Sequence, residues 1–148
     1  SAMSVEQRAY LDTSALAKWY LNEVGSEAFV DFLQRLGSAV IGSLTVTEMR
    51  SLLSRRRRIS DLSVELESLL FAALLSDIDR GWLLQVPVGD ARFAEATNLI
   101  ARYPDHPLRT LDALHLTVAA DLDVSVLATA DRVMADAAAS MGFQVARF

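Results

Sequence analysis

Hydrophobic positions along the chain follow two alternating spacings. Short β-prone runs fall at residues 9–11, 39–42, 83–86, 125–128 and 144–146. Between them apolar residues recur at helical intervals. Leu16, Trp19 and Tyr20 stand at i, i+3 and i+4 within 13–21, and Phe29, Phe32, Leu33 and Leu36 repeat the pattern within 26–36. Two further helices are expected over 44–57 and 62–78, with a turn at 59–61, and three more over 90–102, 110–121 and 131–141. Pro104 and Pro107 disfavour helix at the residues before them, which makes 103–107 a loop. The run 142–148 reads as an edge strand. Strands that alternate with helices imply a three-layer α/β/α sandwich around a central parallel sheet. In such sheets ligands bind beyond the carboxyl ends of the strands, so the residues there are the ones to read for chemistry.

Composition narrows the function. The 148 residues are 52% hydrophobic, which excludes a disordered chain, and show no internal repeat or low-complexity linker. Fourteen basic residues against nineteen acidic ones leave a net charge of −5, which argues against a protein that coats nucleic acid with a broad basic face. The absence of cysteine excludes disulfide scaffolds and Cys-ligated zinc, and two histidines are too few for a His-rich metal site. The longest apolar run, 69–75, has seven residues, against about 18 for a membrane span. No secretory signal is visible, so a cytoplasmic location is expected. Ser1-Ala2 ahead of Met3 reads as a cloning remnant, with one domain over 4–148.

Four carboxylates stand near helix starts, three of them directly behind strands. They are Asp12 in Asp12-Thr13-Ser14, Glu48 five residues after Ser43, Asp112 after Arg109-Thr110-Leu111, and Asp131 after Thr129-Ala130. Each has an ordinary reading. Asp12 and Asp131 fit N-caps, Thr45-x-x-Glu48 fits a capping box, and Asp112 complements a helix dipole. Taken together, four acids on one sheet edge repel one another unless a cation lies between them. Carboxylates suit Mg²⁺, which takes oxygen ligands and keeps several waters. Two such ions about 3.5–4 Å apart can clamp the attacking and leaving oxygens of a phosphodiester.

These residues, from Asp12-Thr13-Ser14-Ala15-Leu16 through Ser43-x-x-x-x-Glu48 and Asp112-Ala113-Leu114 to Thr129-x-Asp131, carry a resemblance to PIN-domain ribonucleases. Size and element order resemble the VapC-type toxins of bacterial toxin–antitoxin pairs, over nearly the whole chain. The resemblance implies a PIN-like fold and a Mg²⁺- or Mn²⁺-dependent endoribonuclease that leaves a 5′-phosphate and a 3′-hydroxyl. By position, Asp12 and Asp112 would hold the main metal, Glu48 would bind it directly or through water, and Asp131 would complete the second side. Ser14 and Thr129 would be supporting hydroxyls that orient ligand or phosphate. It further implies a cognate antitoxin, an RNA substrate and a homodimer. The alternative is a PIN-fold interaction protein, non-catalytic or RNA-processing, that is not a toxin.

Other features have competing readings. Arg55, Arg56, Arg57 and Arg58, with Arg50 before them, suit contact with RNA phosphates or an acidic partner, or simply a solvated helix end. The helix over 62–78 is apolar nearly all round from Leu69 to Leu75, which suits a core helix or an interface. In the resembled family this hairpin helps form the antitoxin groove. His115 shares a helix face with Asp112 and reads first as a core or boundary histidine, with contact to the site as the alternative. His106 reads as exposed, Trp19 and Trp82 as packing residues, and Asp136 as a surface acid. A phosphoacceptor domain or a dehalogenase-like phosphatase would need a late lysine, and Lys18 is the only lysine. A DNA-directed nuclease of this fold usually carries longer insertions.

Overall fold

A computed structural model describes residues 7–148. The cloning remnant and start inferred for residues 1–3 lie outside them. The elements run β1 (Arg8–Leu11), α1 (Thr13–Tyr20), α2 (Ser26–Gln34), β2 (Ser38–Gly42), α3 (Ser43–Arg58), α4 (Val64–Asp79), β3 (Leu83–Val86), α5 (Asp90–Arg102), α6 (Thr110–Asp121), β4 (Val126–Thr129), α7 (Arg132–Ser140) and β5 (Gln144–Arg147). The five strands are all parallel, in the order β3-β2-β1-β4-β5. β1 is central, and the chain builds outward from it to β2 and β3, then returns to its other side for β4 and β5. The reversal of strand order between β1 and β4 opens a crevice at their carboxyl ends.

Side chains alternate across the sheet with period two. From β1, Ala9 and Leu11 join a core with α1, α2, α3 and α4, while Tyr10 points into a core with α5, α6 and α7. Ala39, Ile41, Val126 and Ala128 follow the first face, and Val40 and Leu127 the second. Burial on both faces explains why β1, β2 and β4 read as short apolar runs rather than as a polar–apolar alternation, while the edge strands β3 and β5 are partly exposed.

Local chemistry sets the helix starts that matter here. β2 passes directly into α3, with Gly42 as the N-cap. Glu48 therefore lies in the second turn of α3, and the expected Thr45–Glu48 capping box does not form. Thr45 is instead fully buried and accepts from Thr13 Oγ1 at 3.2 Å. The helix α4 buries Leu74 completely but leaves Leu69 and Leu75 exposed, so its all-round apolar stretch has one packed side and one open side. The edge position of β5 and the loop over 103–107 agree with the pattern-based expectation.

Truncating Leu127, fully buried in β4, to alanine is expected to cost about 2–5 kcal/mol in urea unfolding. The exposed Leu69→Ala is expected to stay within about 0.5 kcal/mol. Equal losses at the two positions would contradict this placement of the core.

Candidate active site

Asp12 lies just beyond β1, at the crevice, and caps α1. It is only 3% exposed. Its Oδ1 accepts from the backbone N–H of Ala15 at 2.9 Å and from Ser14 Oγ at 2.8 Å, and its Oδ2 accepts from Thr129 Oγ1 at 2.5 Å. Ser14 Oγ in turn accepts from the backbone N–H of Ala130, and Thr129 Oγ1 from that of Asp131. The two hydroxyls thus tie the start of α1 to the end of β4 through the carboxylate. Burial pushes the Asp12 carboxyl above its ordinary range, against the opposing effects of Thr129, His115, Ala15 and Ser14.

Glu48, half-buried on α3, accepts two bonds on one oxygen. Thr13 Oγ1 donates to Oε1 at 2.8 Å, and His115 Nε2 lies 2.7 Å from the same atom. The other ring nitrogen of His115, Nδ1, is 2.6 Å from the hydroxyl of Tyr10. Burial works against ionisation of Glu48. The hydrogen bond and charge of His115 and the Thr13 hydroxyl outweigh it, so the carboxyl lies below its usual range.

Asp112 and Asp131 stand at the starts of α6 and α7 and are engaged in their own helix starts. Asp112 Oδ2 accepts from the Arg109 backbone N–H at 3.1 Å. Asp131 Oδ1 accepts from the backbone N–H groups of Val133 and Met134 at 2.8 and 3.3 Å. Among the described residues no three His, Asp or Glu side chains stand close enough together to cage an ion. The site is an open rim of carboxylates rather than a closed cage. An all-oxygen, anionic donor set of this kind fits a hard divalent cation that retains waters.

The rim opens onto a cleft of about 900 Å³. Thr47, Glu48, Ser51 and Arg55 of α3 form one wall, and Val88, Phe93, Leu111 and Leu114 line the other. The arginine run divides by helix geometry. Arg50 and Arg57, two turns apart on α3, both pair with the buried Glu67, at 2.6 and 2.7 Å. Arg50 also lies over the Phe71 ring. Arg56 bridges Glu23 and Asp61. Arg55 and Arg58 have no ion pair among the described residues, and of the five arginines only Arg55 lines the cleft.

A second groove, of about 530 Å³, lies at the opposite end of the sheet between α1, α2, α4 and the starts of β2 and β3. Trp19 and Trp82 line it, 39% and 72% exposed. Neither is the buried packing residue that its helical or apolar setting suggests, because no element among the described residues covers that side of the groove.

The sequence profile of the PIN domain matches residues 9–140. The chain belongs to the PIN domain family. Solved structures share its fold at low identity. The toxin VapC20 of Mycobacterium tuberculosis, described as cleaving the sarcin–ricin loop, superposes with a TM-score of 0.70 at 16% identity, over 91% of this chain and 95% of that one. FitAB bound to a DNA fragment gives 0.69 at 19%, over 94% of each chain. VapBC2 of Rickettsia felis, bound to DNA from its promoter, gives 0.66 at 11%, over 96% and 99%. No protein of curated function matches the chain.

In this PIN domain the acids were legible as residues behind strands, but their neighbours were not. Thr13, Thr45 and Tyr10 carry no polar signal in an apolar context, and His115 reads as core, which it also is, being 3% exposed. His106 donates to or accepts from Ser140 at 2.9 Å on the surface, and Asp136 pairs with Arg147 outside the acidic rim.

The raised titration of Asp12 has a consequence for stability. A group whose folded-state pKa is raised stabilises the fold below its unfolded value and loses that contribution as pH rises through the folded one. At neutral pH Asp12 therefore burdens the cation-free protein. Asp12→Asn is expected to raise the thermal midpoint in EDTA at pH 7.5, by roughly 2–4 °C for each kcal/mol recovered. The advantage should shrink on acidification. A variant less stable than the parent at pH 7.5 would contradict this.

Proposed function

We propose that the chain is a VapC-type toxin: a Mg²⁺- or Mn²⁺-dependent endoribonuclease acting in the cytoplasm and restrained by a cognate antitoxin. The observation that supports the reading is the placement of Asp12, held by Ser14, at the strand-order reversal of a PIN domain, with Glu48 held by Thr13 of the same turn and with Asp112 and Asp131 at the starts of α6 and α7. Asp12 and Asp112 would hold the principal cation, Glu48 would bind it directly or through water, and Asp131 would serve the second side. When bound, the cation supplies an activated water and offsets charge on the phosphodiester.

The chain's own residues do the rest. Ser14 and Thr129 fix Asp12 in its buried setting and favour its ionised form against the effect of burial. The cleft beside Glu48 receives the RNA backbone, with Arg55 as a phosphate contact on its wall. The structurally similar VapBC and FitAB proteins are described as bound to DNA. By analogy, the apolar groove with Trp19 and Trp82 suits a segment of an antitoxin, and a homodimer is expected. The other reading, a PIN-fold interaction protein without catalysis, predicts no cleavage at all.

The test is cleavage of total RNA with mapping of the new ends. Mg²⁺-dependent cuts with 5′-phosphates are expected, lost in Asp12→Asn and Asp112→Asn with the fold retained. Either variant cutting as fast as the parent would sink the assignment. Arg55→Glu should raise KM by about tenfold, in line with one lost phosphate contact. Arg50→Glu should instead lower the thermal midpoint, because it leaves a buried glutamate facing a like charge. An Arg55→Glu enzyme with unchanged KM would remove Arg55 from the RNA path.

A further inference from the structure

Tyr10, His115 and Glu48 form a hydrogen-bonded line from the middle of the sheet to the cleft, and the function proposed above uses only its outer member. Tyr10 is fully buried on β1, and His115 lies edge-on to it with ring centroids 5.7 Å apart. Burial, then the nearby charges of Asp12 and Glu48, push the Tyr10 phenol above its ordinary value, so it stays protonated. The phenol lies 2.6 Å from Nδ1, which leaves Nε2 as the ring nitrogen that faces Glu48 Oε1 at 2.7 Å, its N–H directed at the carboxylate.

Space for this arrangement is reserved at Gly42. A Cβ there would lie 3.0 Å from the Tyr10 hydroxyl and 2.7 Å from Leu44 Cδ2. Glu48 needs such a hold, because it projects from the second turn of α3 on a side chain with three rotatable bonds. Thr13 and His115 both bind Oε1. Oε2 has no protein partner among the described residues. It is reached by solvent, since Thr117 Oγ1 is the only buried side-chain polar atom there without a partner.

We propose that His115, oriented by Tyr10, is a positioning residue for Glu48: it anchors Oε1 so that Oε2 is left for the divalent cation or for water that the cation holds. The inference rests on the cation-dependent reading of the site, and the outer partners of metal-binding groups are known to act in this way.

Two measurements test it. Long-range ¹H–¹⁵N correlation of the side chains, with His106→Gln to assign the second imidazole, is expected to show a proton on His115 Nε2, and a bare Nε2 would overturn its hold on Glu48. Titration of the cation-free protein with Mn²⁺, followed by the EPR signal of free Mn²⁺, is expected to show about 10–100-fold weaker binding in His115→Leu, with His115→Gln recovering to within about threefold, because the Gln amide nitrogen reaches the place of Nε2. Should the Leu variant fail to fold, His115→Asn replaces it. Its amide reaches only the place of Nδ1, and it should bind as weakly. A folded Leu or Asn variant that binds Mn²⁺ as the parent does, or a Gln variant as weak as either, overturns the role of His115 alone. A parent protein that binds no Mn²⁺ overturns the cation reading and the inference with it.

Discussion

The arrangement of the site depends on one constraint: a carboxylate placed almost wholly out of water must be met by donors. Asp12 answers with one backbone N–H and two hydroxyls. Each hydroxyl must itself be held, which is why Ser14 and Thr129 accept from the backbone of the β4–α7 connection. The strand-order reversal is what allows this, since only there do the ends of β1 and β4 lie side by side. The reactive edge and the seam of the sheet are therefore the same place, and the carboxylate joins the two halves of the fold.

That arrangement trades stability for chemistry. A carboxyl buried this deeply is costly to ionise without a counter-ion. The net charge of −5 reads differently in this light. Without Asp12, Glu48, Asp112 and Asp131, fifteen acids face fourteen bases, and the rest of the chain is close to neutral. Four of the five excess acids are then these four, and divalent ions would invert their local sign. The arginines do not offset it in bulk. Three of the five are engaged in pairs that brace α3 against α4 and the α1–α2 corner.

Periodicity places every strand within one residue, and in β1, β2 and β4 this follows from burial on both faces, which leaves short apolar runs with sharp ends. The acids are legible for a related reason: each sits where a strand or loop turns into a helix, and such positions can be counted along the chain. What periodicity cannot show is which faces meet. Tyr10 and His115 are 105 residues apart and look like core in their own segments. The four consecutive arginines look alike in sequence, yet a helix sends Arg57 to Glu67 and Arg55 to the cleft. Trp19 and Trp82 repeat with the apolar stripe but border a groove that no element fills, and a pattern of spacing carries no information on what lies opposite.

The bond between Asp12 and Thr129 joins residues 117 apart in the chain, and so spans most of its length. Contacts of such high sequence separation form late, because a long loop must close first. During synthesis β1, α1 and α3 can assemble while β4 is still inside the ribosome. At that stage Asp12 lacks its Thr129 partner and the wall of the crevice is missing. A nascent chain of this topology gains the Thr129 partner of Asp12 only when β4 has emerged, so the same bond that seals the sheet also delays the moment at which the site is formed.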